Sequence, residues 1–167
     1  KLLDQCGIAN KAQAFGVHRA DGNPLVQYPS AVLGINEVAP LSMAVAFAGI
    51  ANDGVACTPV AIDRIVGLDG QEIPPPKSTC AAAVTPEVAG AMHYAMSRVM
   101  SGGTGSTSNQ NTIPRVPLIG KTGTTDGAKD TWMTGASTKA ATAVWVGNVV
   151  GDANLRDLDF FSGYAAT

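Results

Sequence analysis

The stretch from Pro40 to Gly54, PLSMAVAFAGIANDG, constrains the fold most, because apolar side chains cover nearly every face of the helix that it predicts. Such a helix has no solvent face, so other elements must pack around it. Pro40 suits the first helical turn, where its missing N–H is not needed. Asn52, Asp53 and Gly54 accept the left-handed backbone that ends many helices. The sequence therefore predicts a fold built around one buried helix.

The chain is long enough to supply that covering. It has 167 residues, of which 46% are hydrophobic and 14% are charged, and this balance favours one packed domain over a disordered chain. A net charge of −2 with no run of Lys or Arg argues against a nucleic-acid surface. No apolar stretch approaches the roughly 20 residues of a membrane span. Because the chain opens on Lys1, we expect its natural N-terminus and any targeting signal to lie elsewhere.

A second helix is predicted in VTPEVAGAMHYAMSRVMSGG, with Thr85 as N-cap and Pro86 in the first turn. Gly102 and Gly103 would end this helix. The polar stretch SGGTGSTSNQNT at its end predicts a loop. The predicted buried stripe comprises Val88, Met92, Ala95, Met96 and Val99.

Between the two helices, TPVAIDRIVGLDGQEIPPP predicts a hairpin that turns at Asp69-Gly70. Cys57 enters its first arm and Cys80 leaves its second, so folding about the turn brings the two cysteines near each other. The spacing is compatible with a disulfide in an oxidising compartment and equally with two buried free thiols.

We expect neither a metal nor a cofactor. The three cysteines lie too far apart for a C-x-x-C metal site. Neither His18 nor His93 has a carboxylate or a thiol at ligand spacing, so both histidines are interpreted as structural.

Three strands are predicted towards the end of the chain, in VPLIGKTGTT, TWMTGAST and AATAVWVGNVV. Their short connections suggest antiparallel neighbours. Helices first and strands last, with one hairpin between them, indicate an α+β fold.

The first of these strands contains Gly120-Lys121-Thr122, which is how a phosphate-binding loop ends. That loop needs a glycine at position 115, where this chain has Arg115. Pro114 and Pro117 also lack the N–H groups that would wrap a phosphate. These residues argue against the nucleotide interpretation.

Strand alternation places Lys121 and Gly123 on one side of this strand, and Thr122 and Thr124 on the other. A cation, two hydroxyls and a bare backbone suit an extended peptide with a carboxylate, paired with the strand edge. From the residues alone, a solvated lysine on an ordinary edge strand explains the pattern as well.

A family resemblance favours the peptide site. GKTGTT, followed by DTWMTGAS and ATAVWVG, resembles the end of the transpeptidase domain of class A penicillin-binding proteins. PSAVLGINEVAPLSMAVAFAGIANDGV resembles the segment after the family's second active-site motif, and VMSGGTGS resembles its V-x-x-G-T-G stretch. The cysteine placement and FGVHRADG are most similar to actinobacterial members. The resemblance implies a serine β-lactamase/penicillin-binding-protein fold, an antiparallel sheet flanked by helices, incomplete in this chain.

The resemblance also implies a mechanism. A serine in an S-x-x-K motif attacks the D-Ala–D-Ala amide of a peptidoglycan stem peptide, and a second stem peptide then takes the acyl group. β-Lactams mimic the dipeptide. Carried over by position, Lys121 is the lysine of the KTG motif, and Thr122 and Thr124 bind the substrate carboxylate. The Thr124 N–H forms half of the oxyanion hole, and Gly123 keeps the strand open. Trp132 matches a D-x-W position, where a core aromatic is the simpler interpretation.

The chain departs from the family pattern because it contains neither S-x-x-K nor S-x-N. We therefore expect residues 1–167 to be the C-terminal portion of a transpeptidase domain, with both motifs upstream. If so, the chain alone is expected to be inactive. We also expect it to need the rest of its domain for stability, since an incomplete sheet exposes unpaired edges. The parent protein would be membrane-anchored and would act on the extracytoplasmic face.

Other functions of the same fold stay open. One is a β-lactamase or D,D-carboxypeptidase, against which LGINEVAPLSMAVAFAGIANDGV argues. Another is a non-enzymatic penicillin-sensing or peptidoglycan-binding module that keeps the KTG strand for ligand only. An upstream serine with a lysine on the same helix face would distinguish an enzyme from such a module.

Overall fold

The computed structural model describes residues 4–157, which form an α+β arrangement. None of the helices in that range is long and apolar enough to cross a bilayer. The helices are α1 (Gln5–Ala14), α2 (Pro40–Ala51), α3 (Pro86–Gly102) and α4 (Ser106–Asn111), with short 3-10 turns at Pro29–Leu33, Asp126–Ala128 and Leu155–Asp157. The strands are β1 (Val55–Cys57), β2 (Ile65–Val66), β3 (Glu72–Ile73), β4 (Cys80–Ala82), β5 (Ile119–Thr124), β6 (Asp130–Ala136) and β7 (Ala141–Gly147).

The main sheet contains β5, β6 and β7 in that order, and all its pairs are antiparallel. This confirms the three strands predicted towards the end of the chain and their antiparallel pairing. Ile119, Ala136 and Ala141 share one face and pack into a core cluster with Phe47 and other residues of α2. The α2 helix therefore covers one face of the sheet, as expected for an α+β fold with helices packed on its sheet.

The central part of α2 is buried, as its composition predicts. Phe47 and Ile50 are 4% and 5% exposed, and a Cβ atom built on Gly49 would lie only 2.9 Å from Phe15 Cδ1, beyond the end of α1. The expectation of a helix without a solvent face was wrong on one side, where Leu41 is 66% exposed and Ala48, two turns later, is also exposed. Asp53 and Gly54 follow the helix with the expected left-handed backbone, at φ 52° and 84°.

The α3 helix runs from Pro86 to Gly102 beside β5, close to the bounds that the sequence predicts. Glu87 in its first turn accepts hydrogen bonds from the Thr85 hydroxyl and from its own backbone N–H, which lower the pKa of that carboxyl. The predicted stripe was wrong at Val88 and Ala95, which are exposed. The apolar residues of α3 that turn inwards are Ala89, Met92, Met96, Val99 and Met100.

The polar stretch after α3 is not a simple loop. It makes a turn at Gly103 and Gly105 and then forms α4, which packs against α3. The prediction failed because Ser, Thr and Asn have weak intrinsic helix propensity, whereas tertiary packing decides the structure of so short a segment.

Two small ribbons replace the long hairpin predicted between α2 and α3. β1 pairs with β4, and β2 pairs with β3 around the predicted Asp69-Gly70 turn. Pro59 and Pro74–Pro76 lie between the ribbons, where prolines cannot donate to a ladder. Cys57 and Cys80 are paired in the β1–β4 register and form a disulfide with an Sγ–Sγ distance of 2.10 Å.

Replacing Gly120 by alanine should destabilise the protein by about 2 kcal/mol, because the added methyl overpacks the region beside β5. A Cβ atom there would lie 2.5 Å from Met100 Sδ and 3.2 Å from the Thr134 carbonyl oxygen. Thermal unfolding of the natural polypeptide that carries this chain measures the effect.

Gly90→Ala is the matched control, since a Cβ atom at this exposed position of α3 meets nothing within 4 Å. We expect it to stabilise the protein by about 0.5–1 kcal/mol through helix propensity. Equal behaviour of the two variants would contradict the packing described at Gly120.

Candidate functional site

The free edge of β5 is the feature around which the predicted site residues gather. Within residues 4–157, β5 pairs with β6 on one side and with no strand on the other. A strand edge of this kind carries unpaired N–H and C=O groups that an extended peptide can use.

The register shows which groups point outwards. Thr125 N donates to Asp130 O over 3.0 Å, so these two residues direct their backbone groups at each other, and in an antiparallel ladder this direction alternates from one pair to the next. Lys121 and Gly123 accordingly direct their backbone groups at β6. The backbone N–H and C=O groups of Thr122 and Thr124 point to the free edge.

The pairing of β6 with β7 supports this assignment. Ser137 N donates to Ala140 O over 2.8 Å, which makes Thr134 and Ala143 a pair without mutual hydrogen bonds. The backbone N–H and C=O groups of Thr134 therefore point towards Lys121 on β5, as the β5–β6 register requires.

The Lys121 side chain lies on the same face of the sheet as Ile119 and is exposed. Its Nζ donates to the carbonyl oxygen of Thr122 over 2.7 Å. The ammonium group therefore reaches round to the free edge, and this contact agrees with the outward direction of the Thr122 carbonyl.

The Thr122 hydroxyl lies on the opposite face, 2.5 Å from the hydroxyl oxygen of Thr104. Thr104 belongs to the turn between α3 and α4, so it joins the site from 18 residues away in sequence. Sequence reasoning did not single it out as a site residue, although the Gly-Thr-Gly pattern around it was noted. Thr124, on the same face as Thr122, is exposed and open to a ligand.

Gly123 pairs with Trp132 in the register. A Cβ atom built on Gly123 would lie 3.4 Å from Trp132 Cβ, which is ordinary van der Waals contact. Packing against β6 therefore does not demand glycine, and the missing side chain leaves the backbone open to an approaching molecule.

Trp132 is half-buried and pairs with Trp145, whose Nε1 donates to Asp130 Oδ1 over 3.2 Å. The interpretation of Trp132 as a core aromatic stays a prediction. The two bonded cysteines lie on β1 and β4, outside the sheet that carries the site.

The edge thus combines a cation, hydroxyl groups and outward backbone donors and acceptors around Lys121, Thr122, Gly123 and Thr124. These groups can hold a carboxylate and pair with an extended chain. In residues 4–157 no three His, Cys, Asp or Glu side chains are grouped as a metal would require.

Comparison with known proteins gives one family match. The family described as "Penicillin binding protein transpeptidase domain" matches residues 5–165, which is nearly the whole chain.

Individual relatives agree with that match. The chain is 33% identical over 124 residues to penicillin-binding protein 1A of Aquifex aeolicus, covering 74% of this chain and 16% of that protein. It is 31% identical over 119 residues to penicillin-binding protein 1B of Escherichia coli, covering 71% and 14%. The chain thus spans about a sixth of the curated relatives that it matches.

Solved structures give the same picture. The PonA1 protein from Mycobacterium tuberculosis, solved in complex with penicillin V, superposes with a TM-score of 0.74 at 28% identity. That superposition covers 89% of this chain and 42% of the PonA1 chain. Penicillin-binding protein 1A from Haemophilus influenzae, at 22% identity and a TM-score of 0.69 over 81% of this chain and 25% of its own, supports the fold alone.

Proposed function

We propose, from the premise that this chain belongs to the penicillin-binding protein transpeptidase family, that it supplies the substrate-binding strand of a D,D-transpeptidase that cross-links peptidoglycan. The observation that carries the proposal is the free edge of β5. Thr122 and Thr124 direct backbone groups outwards there, and Lys121 places its ammonium group at the same edge.

An extended stem peptide can add to this edge as a further strand. Main-chain hydrogen bonds to Thr122 and Thr124 would fix its register, and the Lys121 ammonium would move from the Thr122 carbonyl towards the substrate. The hydroxyls of Thr122 and Thr124 share one face of the strand, where they would bind the terminal carboxylate. Thr104 would orient the Thr122 hydroxyl for this contact.

The reaction requires a nucleophile that residues 1–167 do not offer as an S-x-x-K motif. We assign it to a serine elsewhere in the polypeptide, in the part of the domain that precedes this chain in the family. Attack of its hydroxyl oxygen on the D-Ala–D-Ala carbonyl forms an ester and releases D-alanine. The amine of a second stem peptide then attacks the ester, which forms the cross-link and regenerates the serine.

The chain's own contribution to that step is electrostatic. The negative charge that develops on the carbonyl oxygen needs preorganised donors, and the outward N–H of Thr124 is one of them. Lys121 adds a positive charge near the serine and the carboxylate. The same groups would bind β-lactams; the relative PonA1 has been solved in complex with penicillin V.

The Cys57–Cys80 disulfide fits this assignment, since disulfides persist in oxidising compartments. We therefore place the working protein on the extracytoplasmic face of the cell membrane, where its peptidoglycan substrate lies. The remaining part of the same domain is its expected partner.

Penicillin labelling of the natural polypeptide that contains this chain tests the proposal. We expect a covalent penicilloyl adduct, which peptide mapping by mass spectrometry should place on a serine outside residues 1–167. Heat-denatured protein should give no adduct. A folded polypeptide that binds benzylpenicillin reversibly without an adduct would overturn the enzymatic proposal and support a binding module. Rapid loss of the adduct, with hydrolysis of the β-lactam ring of many penicillin molecules per protein molecule, would instead indicate a β-lactamase.

A further inference from the structure

The sulfur of Met100 occupies a niche between Gly105 and Gly120. Gly105 belongs to the turn that carries Thr104, and Gly120 belongs to the strand that carries Thr122, so the sulfur lies between the two segments that the Thr104–Thr122 contact joins. A Cβ atom built on Gly120, next to Lys121, would lie 2.5 Å from Met100 Sδ. A Cβ atom built on Gly105, next to Thr104, would lie 2.7 Å from the same sulfur. Met100 is only 3% exposed, so its side chain is enclosed by its neighbours.

The turn that carries Thr104 is fixed to α3. Both Gly103 N and Gly105 N donate to the Val99 carbonyl oxygen, over 3.1 and 3.2 Å. Thr104 is held between these two donors, so the turn and the last part of α3 form one unit. The position of Thr104 relative to β5 therefore depends on how the turn and the end of α3 pack against that strand.

We propose that Met100 is a positioning residue for the substrate-binding strand, because its sulfur spaces the Thr104 turn from β5 and so holds the Thr104 hydroxyl on the Thr122 hydroxyl. Met133 closes the niche from β6, since its Cε would lie 3.0 Å from a Cβ atom on Gly120. Closely packed side chains of this kind transmit small displacements, because a well-packed interior does not deform freely.

The proposal rests on the proposed function, since the aligned Thr122 hydroxyl matters only if it binds a ligand carboxylate. A shift of about 1 Å in such a group can lower a reaction rate by up to about 100-fold. Truncating Met100 should therefore weaken acylation through Thr104, although Met100 itself touches no substrate.

A double-mutant cycle with Met100→Ala and Thr104→Val separates this role from a general loss of packing. The measured quantity is the second-order rate of acylation of the natural polypeptide by benzylpenicillin. We expect each single variant to lower the rate by about tenfold, and the double variant to lower it by about the same factor. Met100→Leu, which conserves side-chain volume, should recover most of the rate.

Met96→Ala is the matched control, because Met96 lies one turn earlier on α3 and packs against the core cluster that contains Phe47, whereas Met100 clusters with Met133. We expect its acylation rate to stay within about twofold of the parent, even though it also shortens a partly buried methionine. A loss of about 100-fold in the double variant, the product of the two single losses, would overturn the proposal, because the effects of independent sites multiply. An equal loss in Met96→Ala would overturn it too.

A ligand-free measurement keeps this test separate from that of the proposed function. In a crystal structure of the Met100→Ala polypeptide, the distance between the Thr104 and Thr122 hydroxyl oxygens should exceed hydrogen-bonding range, above about 3.5 Å. An unchanged distance would refute the positioning role, whether or not the parent protein is acylated. An absence of acylation in the parent would refute only the proposed function.

Discussion

Replacing Lys121 by methionine should lower the acylation rate of the natural polypeptide by benzylpenicillin by about 100- to 1,000-fold, the range found when one preorganised electrostatic group is removed from an acyl-transfer site. The Lys121 ammonium lies at the free edge of β5, bonded to the outward Thr122 carbonyl. Methionine keeps an unbranched side chain of similar length and removes the charge. Because Lys121 is exposed, the substitution should leave folding intact.

The measurement is the time course of covalent labelling, with the unfolding temperature recorded beside it. Lys139→Met is the matched control, since Lys139 lies exposed in the turn between β6 and β7. We expect this control to react at the parental rate. Lys121→Arg keeps the charge but changes the donor geometry, so it should recover only part of the rate. A Lys121→Met protein that is acylated as fast as the parent would remove Lys121 from the mechanism.

Removing the Cys57–Cys80 disulfide, by changing both cysteines to serine, should lower the free energy of unfolding by about 3 kcal/mol. The bond joins residues 23 positions apart and closes the segment that holds the β2–β3 ribbon. Without it, the unfolded chain gains the entropy of an open loop. An isolated two-stranded ribbon is marginally stable by itself, so this part of the fold depends on its closed base.

Urea denaturation of the natural polypeptide, with and without a reductant, checks this expectation. Reduction of the parent should reproduce the effect of the double substitution. Cys6→Ser is the control, because Cys6 is exposed and carries a free thiol, and its midpoint should match that of the parent. If the double-serine protein and the Cys6→Ser protein unfold alike, the disulfide does not stabilise this domain.

Several elements followed from the sequence because their signals are local. The continuous apolar run of α2, the apolar period of α3 and the prolines and glycines that flank them located both helices within a few residues. Alternation and short polar connections located β5, β6 and β7 and indicated their antiparallel order. The turn at Asp69-Gly70 depends on local features, because Gly70 has a φ of 78° and Asp69 Oδ1 accepts a hydrogen bond from Gln71 N over 3.1 Å.

Local signals failed where packing decided the outcome. The stretch containing α4 has the composition of a loop, and tertiary contacts with α3 made it helical. The inward face of α3 was displaced at Val88 and Ala95, because the position of β5 determines which side of that helix is covered.

For the site, the sequence by itself determined which residues lie on the candidate strand, because the motif around Lys121 is continuous in the chain. Only the tertiary structure decided that this strand has a free edge and that Thr122 and Thr124 face it, since both depend on hydrogen-bond pairing with β6. It also brought Thr104 onto Thr122. Such contacts arise from the packing of separate elements, so no periodicity within one segment can reveal them.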